Sequence, residues 1–405
     1  RVFKICIIML ESVIFRYSFF GRFTWNALWS FLVAGVLVSC GNKDSKAVAN
    51  LGKEYSEQLI AQADRVELDN DGPLLNGQAI KGERSPDEYR ITYNGSEGPG
   101  KGKHIVFIAT DHEYRGEETL PALARILAKR YGFSCTVVWA LDDDGNIFPG
   151  GSDLKGLDVL KKADLMVMFM RFANFEDEQM QYIDDYLNRG GAVIGLRTTT
   201  HAFKNADNPN WNHYDFKYEG ENKAWHGGFG EVVLGETWVG HYGKNHQQAS
   251  KLIMEENNKE HPIMRGVQNA WAQCGGYNAY PQGKDLKILA RGRVLNGMTP
   301  DAAPDTSKEE LPVAWVRTYQ LEKGKPGRAF TTTHGASEDI LNEGFRRMLI
   351  NACFWGLEME DLIKEDNPID FVGGYEPTTF NFEGYQKNVK PSDLKGWESV
   401  IMPRK

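Results

Sequence analysis

The chain has 405 residues, 25% charged and 41% hydrophobic, and a net charge of −8. This is the make-up of a water-soluble globular protein, long enough for one large domain with extensions or for two ordinary ones. The acidic balance disfavours nucleic acid and anionic lipid surfaces as partners, and five cysteines without a CxxC pair give no zinc or dithiol signature.

Residues 1–39 read as a secretory signal peptide. Arg16 and Arg22 precede an uncharged, mostly apolar run over 26–39, too short for a comfortable membrane span. The run ends in Leu37, Val38, Ser39 and Cys40, the order of a bacterial lipoprotein box. Cys40 is therefore expected to carry lipid and to hold the protein on the bacterial cell envelope, facing the periplasm or the cell surface; an ordinary signal peptide or a membrane anchor are the alternatives. Residues 40–102 read as a lipidated tether and an irregular lead-in, with Gly, Pro, Asn and Asp scattered through 66–103.

Regular structure is expected from His104. The continuous apolar run 104–110 predicts a strand covered on both faces, and a helix follows over 120–131, with Pro121 in its first turn and Gly132 as its stop. Strands are predicted at 133–140, 164–170 and 192–196, with a helix over 176–189 between the last two. Residues 204–284 form a long insert expected to cover the functional crevice with short strands such as 231–234 and 237–240. The sheet resumes at 286–291, 312–319 and 328–333. A last helix over 338–357 has Ser337 as its N-cap and Leu341, Phe345, Leu349 and Ala352 on one face. Residues 359–405 read as a C-terminal extension that wraps over the body. Alternating strands and helices imply a doubly wound α/β fold with a mostly parallel sheet, whose functional crevice lies at the carboxyl ends of the strands.

That rule selects the chemistry. The loop 111–118 packs Asp111, His112, Glu113, Tyr114, Arg115 and Glu117 together, donors and acceptors suited to sugar hydroxyls or to a developing charge; capping of the next helix is the competing reading. Arg171 stands where a buried run meets the crevice. Residues 191–203 have the strand-to-turn layout of a nucleophile elbow, but the nucleophile's position holds Arg197, which cannot attack a carbonyl and instead presents a rigid fork of donors. Thr198, Thr199, Thr200 and His201 follow it, and His334 follows the last strand where a triad histidine would sit. In the insert, Trp225, His226, Glu236 and His241 are candidates for ring stacking and hydroxyl binding. Histidines with a carboxylate can hold a divalent cation, yet the gap between His241 and His246 fits no tight metal signature, so no metal is predicted and the cofactor is left open. Cys135 and Cys353 fall in core-like runs, whereas Cys274 lies in a Gly-rich loop.

Several separate segments resemble the ThuA-like (trehalose utilisation) family: IVFIATDHEYRGEE from Ile105, VIGLRTTTHAF from Val193, WHGGFGEVVLGETWVGHYGKNH from Trp225, LPVAWVRTY from Leu311, the stretch 327–357 and the tail DFVGGYEPTTFNFEGY from Asp370. The resemblance covers roughly residues 103–385, and we set the domain at 103–358. It implies a flavodoxin-like fold related to the class I glutamine amidotransferases without their catalytic cysteine, and a role in sugar metabolism with trehalose-type disaccharides or 3-keto sugars. The family's elbow often carries histidine where this chain has Arg197, so that histidine's role is not transferred to it.

The resulting expectation is a lipid-anchored protein that binds and transforms a disaccharide or keto-sugar, with Asp111, Glu113, Arg115, Arg197, His201 and His334 as the reacting group and a hydrolase or lyase as the reaction class. A non-catalytic carbohydrate-binding or scaffolding lipoprotein is the second reading. A hydrolase using Cys274 is the third, and the position of that residue outside the elbow disfavours it.

Overall fold

Short apolar runs bounded by glycine and proline become the buried strands. In the computed structural model, residues 84–205 and 208–402 are described, all within one compact unit, Leu74–Lys405. The signal segment 1–39, Cys40 and the tether as far as residue 83 lie outside the described residues.

Strands β1 (Arg90–Asn94), β2 (His104–Thr110), β3 (Ser134–Trp139), β4 (Leu165–Met170) and β5 (Ala192–Leu196) form the first half, with helices α1 (Gly116–Tyr131) and α2 (Asp177–Asn188) between them. The second half supplies β6 (His241–Tyr242), β7 (Ser250–Met254), β8 (Trp271–Ala272), β9 (Gly276–Tyr277), β10 (Lys284–Val294), β11 (Leu311–Tyr319), β12 (Gly327–Thr332) and helix α3 (Glu343–Gly356). Ten strands make one sheet in the order β1-β3-β2-β4-β5-β12-β11-β10-β7-β8, and β6 pairs with β9 apart from it. The inner five, β3-β2-β4-β5-β12, are parallel. Numbered by their own succession they run 2-1-3-4-5, the flavodoxin-like order. The remaining strands of the large sheet pair antiparallel. Strand β4 is buried along its whole length, as a strand covered on both faces must be.

Register fixes which residues emerge together. Thr110 pairs with Met170, so Asp111 and Arg171 leave the sheet side by side at the switch point between β2 and β4. Thr332 pairs with Leu196, so Thr333 and Arg197 do the same one strand further on.

Several expectations are corrected. The lead-in contains β1, paired antiparallel with β3. Helix α1 starts a turn earlier than predicted, at Gly116, because Arg115 takes a left-handed conformation as its N-cap, which leaves Pro121 inside the helix. The segment predicted as a strand at 231–234 is a π-helical turn, Gly230–Leu234. Its three apolar residues are too few to distinguish the two periods, and Gly230 lets the turn press against the Thr200 carbonyl, where a Cβ would come within 2.2 Å. Residues 237–240 form no ladder; bonds from Gln282 N to Gly235 O (2.7 Å) and from Asn278 N to Gly240 O (3.0 Å) hold only the ends of that stretch. The predicted last helix is two pieces: a 3-10 turn, Ser337–Leu341, and then α3, whose N-cap is Asn342 with its side chain accepting from Phe345 N at 2.8 Å. Ser337 instead donates its hydroxyl to Thr378 O in the tail (2.7 Å), and Leu341 is 51% exposed rather than inward.

The tail crosses the body on many bonds: Tyr131 to Pro368 O, Arg346 to Ile369 O, and Arg125 to Leu394 O and Ser399 O. Among the described residues no helix is long and apolar enough to cross a membrane.

Candidate active site at the carboxyl ends of the parallel strands

Three non-glycine residues with positive φ stand at neighbouring strand ends: Arg115 (φ 64°) after β2, Phe172 (φ 49°) after β4 and Arg197 (φ 40°) after β5. Such conformations strain any residue with a Cβ and persist where the surrounding fold holds them in place. Here they set the course of three loops at one edge of the sheet.

Asp111 builds its loop. Oδ1 accepts from Glu113 N at 3.0 Å and from Tyr114 N, and Oδ2 accepts from Thr198 Oγ1 at 2.8 Å, which ties the β2 loop to the elbow. Both of its oxygens are engaged within the fold, by two backbone N–H groups and a side-chain hydroxyl.

Glu113 is the second buried carboxylate of this loop. It is 4% exposed and accepts from Asn245 Nδ2 at 3.2 Å, with Arg171 Nη1 at 3.9 Å and His246 Nε2 at 3.8 Å. Burial raises its pKa, offset in part by the Arg171 charge and reinforced by Asp111. Arg171 Nη1 also donates to His112 Nε2 at 2.8 Å, which places the His112 proton on Nδ1, a buried atom without a partner. Burial, then the charges of Arg171 and Arg115, push His112 down to about 3, so its ring is neutral.

Arg197 is fully buried. Nη1 donates to Gly275 O (2.6 Å), Thr333 O (2.7 Å) and Cys274 Sγ (3.2 Å), and the guanidinium lies between the Tyr114 and Tyr277 rings, 3.8 and 4.6 Å from their centroids. Behind it, Cys274 Sγ donates to Asp339 Oδ2 at 2.8 Å and lies 3.8 Å from His334 Nδ1. Burial and the Asp339 carboxylate outweigh the Arg197 charge and push the thiol well up, so it is protonated and unreactive. Burial, then Arg197, takes His334 down to about 3.

His201 is buried in a box of rings, with Phe172 and Trp238 each 5.1 Å away, Phe216 at 5.9 Å and Tyr277 at 6.0 Å. Burial and the charges of Arg171, His241 and Arg197 hold it well below the ordinary histidine range. Part of the His241 surface meets solvent, yet burial by the surrounding protein, then the charges of Arg197 and Arg171, push it down to about 3.

The tail roofs one side of the crevice. Phe382 packs on His112 (5.1 Å) and under the Arg171 guanidinium (5.0 Å), and Phe380 stacks on Tyr114 (5.1 Å) and His246 (4.5 Å). Arg115 donates to Asn381 O and lies 3.7 Å from Glu117, so it joins the roof rather than facing the crevice.

The structure thus brings Asp111, His112, Glu113, Tyr114, Arg171, Arg197, His201 and His241 to one edge, with His334 behind Arg197. Trp225, His226 and Glu236 are directed elsewhere. Trp225 packs in the insert's own aromatic core, 4.3 Å from Tyr214; His226 bonds Gly220 O at 2.9 Å; and Glu236 accepts from Tyr280 N. Tyr277, Trp238, Asn245, Phe380 and Phe382 are members that sequence reasoning did not find. Asn245 and Trp238 lie within the insert assigned to the crevice, but the two phenylalanines join it only through the path of the tail. Among the described residues no group of three or more His, Cys, Asp or Glu is arranged to hold a metal ion.

A cleft of about 300 Å³ opens at the opposite, amino end of the strands, lined by residues including Lys103, Asp164, Arg189 and Arg328. Its charges are already paired: Lys103 with Asp164 at 3.0 Å, Arg189 with three carbonyls, and Arg328 with Glu360. Buried polar atoms without hydrogen-bond partners at the carboxyl edge include His112 Nδ1, Arg171 Nε and Arg197 Nε and Nη2.

Residues 104–356 match the family model described as ThuA, trehalose utilisation, more than half of the chain. The chain belongs to the ThuA family. Membership supports a role related to carbohydrate metabolism. The chain is also similar to solved ThuA-like structures from Bacteroides uniformis (13% identity, 65% of this chain and 94% of that chain, TM-score 0.39) and Parabacteroides merdae (15% identity, 70% and 98%, TM-score 0.40). A more distant likeness is to an exo-beta-1,4-mannosidase from an Opitutaceae bacterium (8% identity, 63% and 36%, TM-score 0.29). No curated protein matches the chain.

Proposed function

We propose that this ThuA family protein binds a disaccharide or keto-sugar of the trehalose or 3-keto-glycoside type in the crevice between β2, β4 and β5, and transforms it by proton transfer. The observation that carries this reading is Glu113, a buried carboxylate of raised pKa at the topological switch point, beside Arg171. As the carboxylate, Glu113 takes a proton from the carbon next to the sugar's ketone. The electron pair moves onto the ketone oxygen, and guanidinium N–H groups stabilise the charge that develops there. His201 and His241, neutral at physiological pH, accept hydrogen bonds from hydroxyls, and Trp238 offers a ring face. Asp111 and Arg115 act through the loop and the roof, not on the substrate. In this reading the protein works on the cell envelope, held by lipid on Cys40.

Glu113→Gln keeps the shape and removes the base. Turnover of a 3-keto-glycoside should fall by about 100-fold or more, the usual scale for a positioned base, with binding retained. Turnover at the wild-type rate in this variant contradicts the proposal. A second reading, binding without turnover, is favoured by the tail aromatics seated over His112 and Arg171; calorimetric binding with no product by mass spectrometry selects it.

A further inference from the structure

Arg197 is bound through only one of its edges. Its Nη1 serves two carbonyls and a sulfur, whereas Nε and Nη2, the parallel pair along the side of the guanidinium, are both buried and have no hydrogen-bond partner. The Tyr114 phenol interacts with the guanidinium, but no hydrogen bond of ordinary geometry joins it to Nε or Nη2. Two tyrosine rings clamp the faces of the group, so it cannot swing to find another acceptor.

Other buried arginines also leave nitrogens without a hydrogen bond (Nε and Nη1 of Arg115, Nε of Arg125 and Arg171), but each of these has a carboxylate or several tail acceptors beside its charge. Arg125 has its two terminal nitrogens on tail acceptors, Arg346 bonds three backbone carbonyls, and Arg115 has Glu117 beside it. Among the described residues no carboxylate oxygen comes within ion-pair distance of Arg197. A buried guanidinium with a free side edge carries a large desolvation cost that an incoming anion would offset. The geometry of that edge is selective: two parallel N–H groups match the two oxygens of a carboxylate, whereas a single hydroxyl uses only one. Further buried polar atoms without partners lie in the same region. Thr333 Oγ1 and the His334 ring adjoin Gly276, where a Cβ would come within 3.6 and 3.7 Å of them, and Asn245 Oδ1 belongs to the side chain that holds Glu113 and Tyr114. These can take hydroxyls once the acid group is seated.

We propose that the substrate of this crevice carries a carboxylate, a sugar acid of the uronate class, which the side edge of Arg197 grips with two hydrogen bonds. This rests on the carbohydrate reading above and narrows it: Glu113 would work on the ring while Arg197 holds the acid.

The test is calorimetric titration of the full chain with D-galacturonate and with D-galactose, which differ at the carboxylate carbon alone. A charged, two-point contact predicts that the acid binds about 10- to 100-fold more tightly. Equal or weaker binding of the acid, or binding of neither sugar, overturns the carboxylate assignment, whereas the disaccharide or keto-sugar reading stands or falls on 3-keto-glycoside turnover. Arg197→Lys keeps the charge and loses the fork. In a variant that melts as a folded protein, the preference for the acid should collapse to a few-fold or less, and a preserved preference contradicts the proposal. If the variant does not fold, the wild-type comparison decides.

Discussion

Cys274 illustrates how a reactive residue type is silenced by its neighbours. Its thiol donates a hydrogen bond to Asp339, accepts one from Arg197 and is wholly enclosed. The same Asp339 accepts from the backbone of Gln273, Cys274, Gly335 and Ala336, so it holds together the two loops that position Arg197 and His334. The sulfur therefore contributes polarity and shape to the floor of the site. In native protein at pH 8, a thiol reagent such as DTNB should leave Cys135, Cys274 and Cys353 unmodified, with all three reacting once guanidinium unfolds the chain. Rapid native labelling mapped to Cys274 by peptide mass spectrometry would contradict this account and restore the cysteine hydrolase reading.

At the scale of elements, the start of α1 is where the tail is fastened. Glu118 accepts from Thr378 N at 2.8 Å and from Thr378 Oγ1 at 2.5 Å, while both oxygens of Glu117 are buried without a hydrogen bond. Burial raises Glu117 to about 8 and Glu118 to about 7, overcoming the nearby Arg115 charge and the Thr378 bonds. A carboxyl whose folded pKa lies above its unfolded value of 4.5 binds more protons folded than unfolded. Stability is therefore greatest where both states are protonated and declines as pH rises from about 4.5 through 7 to 8. Glu117→Gln removes one of the two charges, so it should raise stability at pH 8 by on the order of 1–3 kcal/mol and have little effect near pH 4. Denaturant melts at the two pH values check it; destabilisation at pH 8 would show that the ion pair with Arg115 outweighs the burial cost.

At the scale of the whole molecule, the parallel core was legible because continuous apolar runs such as 165–170 and glycine stops such as Gly132 are local signals. Strand succession and the carboxyl-edge rule place Asp111, Arg171 and Arg197 in one region from the sequence alone. Strands β1, β7 and β8 were missed because they form by pairing at sheet margins, where no continuous apolar run marks them. The roof was missed for a related reason: Phe380 and Phe382 lie more than 260 residues from His112 and Tyr114, and only the path of the tail brings them together. Trp225 shows the converse error, since a tryptophan chosen for ring stacking serves more readily as the centre of a local aromatic core.

The central claim is that the molecule handles its sugar at the carboxyl edge of the parallel strands, between Glu113, Arg171 and Arg197. A crystal structure of the protein soaked with D-galacturonate tests it directly. The account predicts the sugar within hydrogen-bond distance of Arg197 Nε and Nη2 and close to Glu113, with Phe382 displaced or packed on its ring. Density confined to the cleft lined by Lys103, Arg189 and Arg328 at the opposite end of the strands would contradict it.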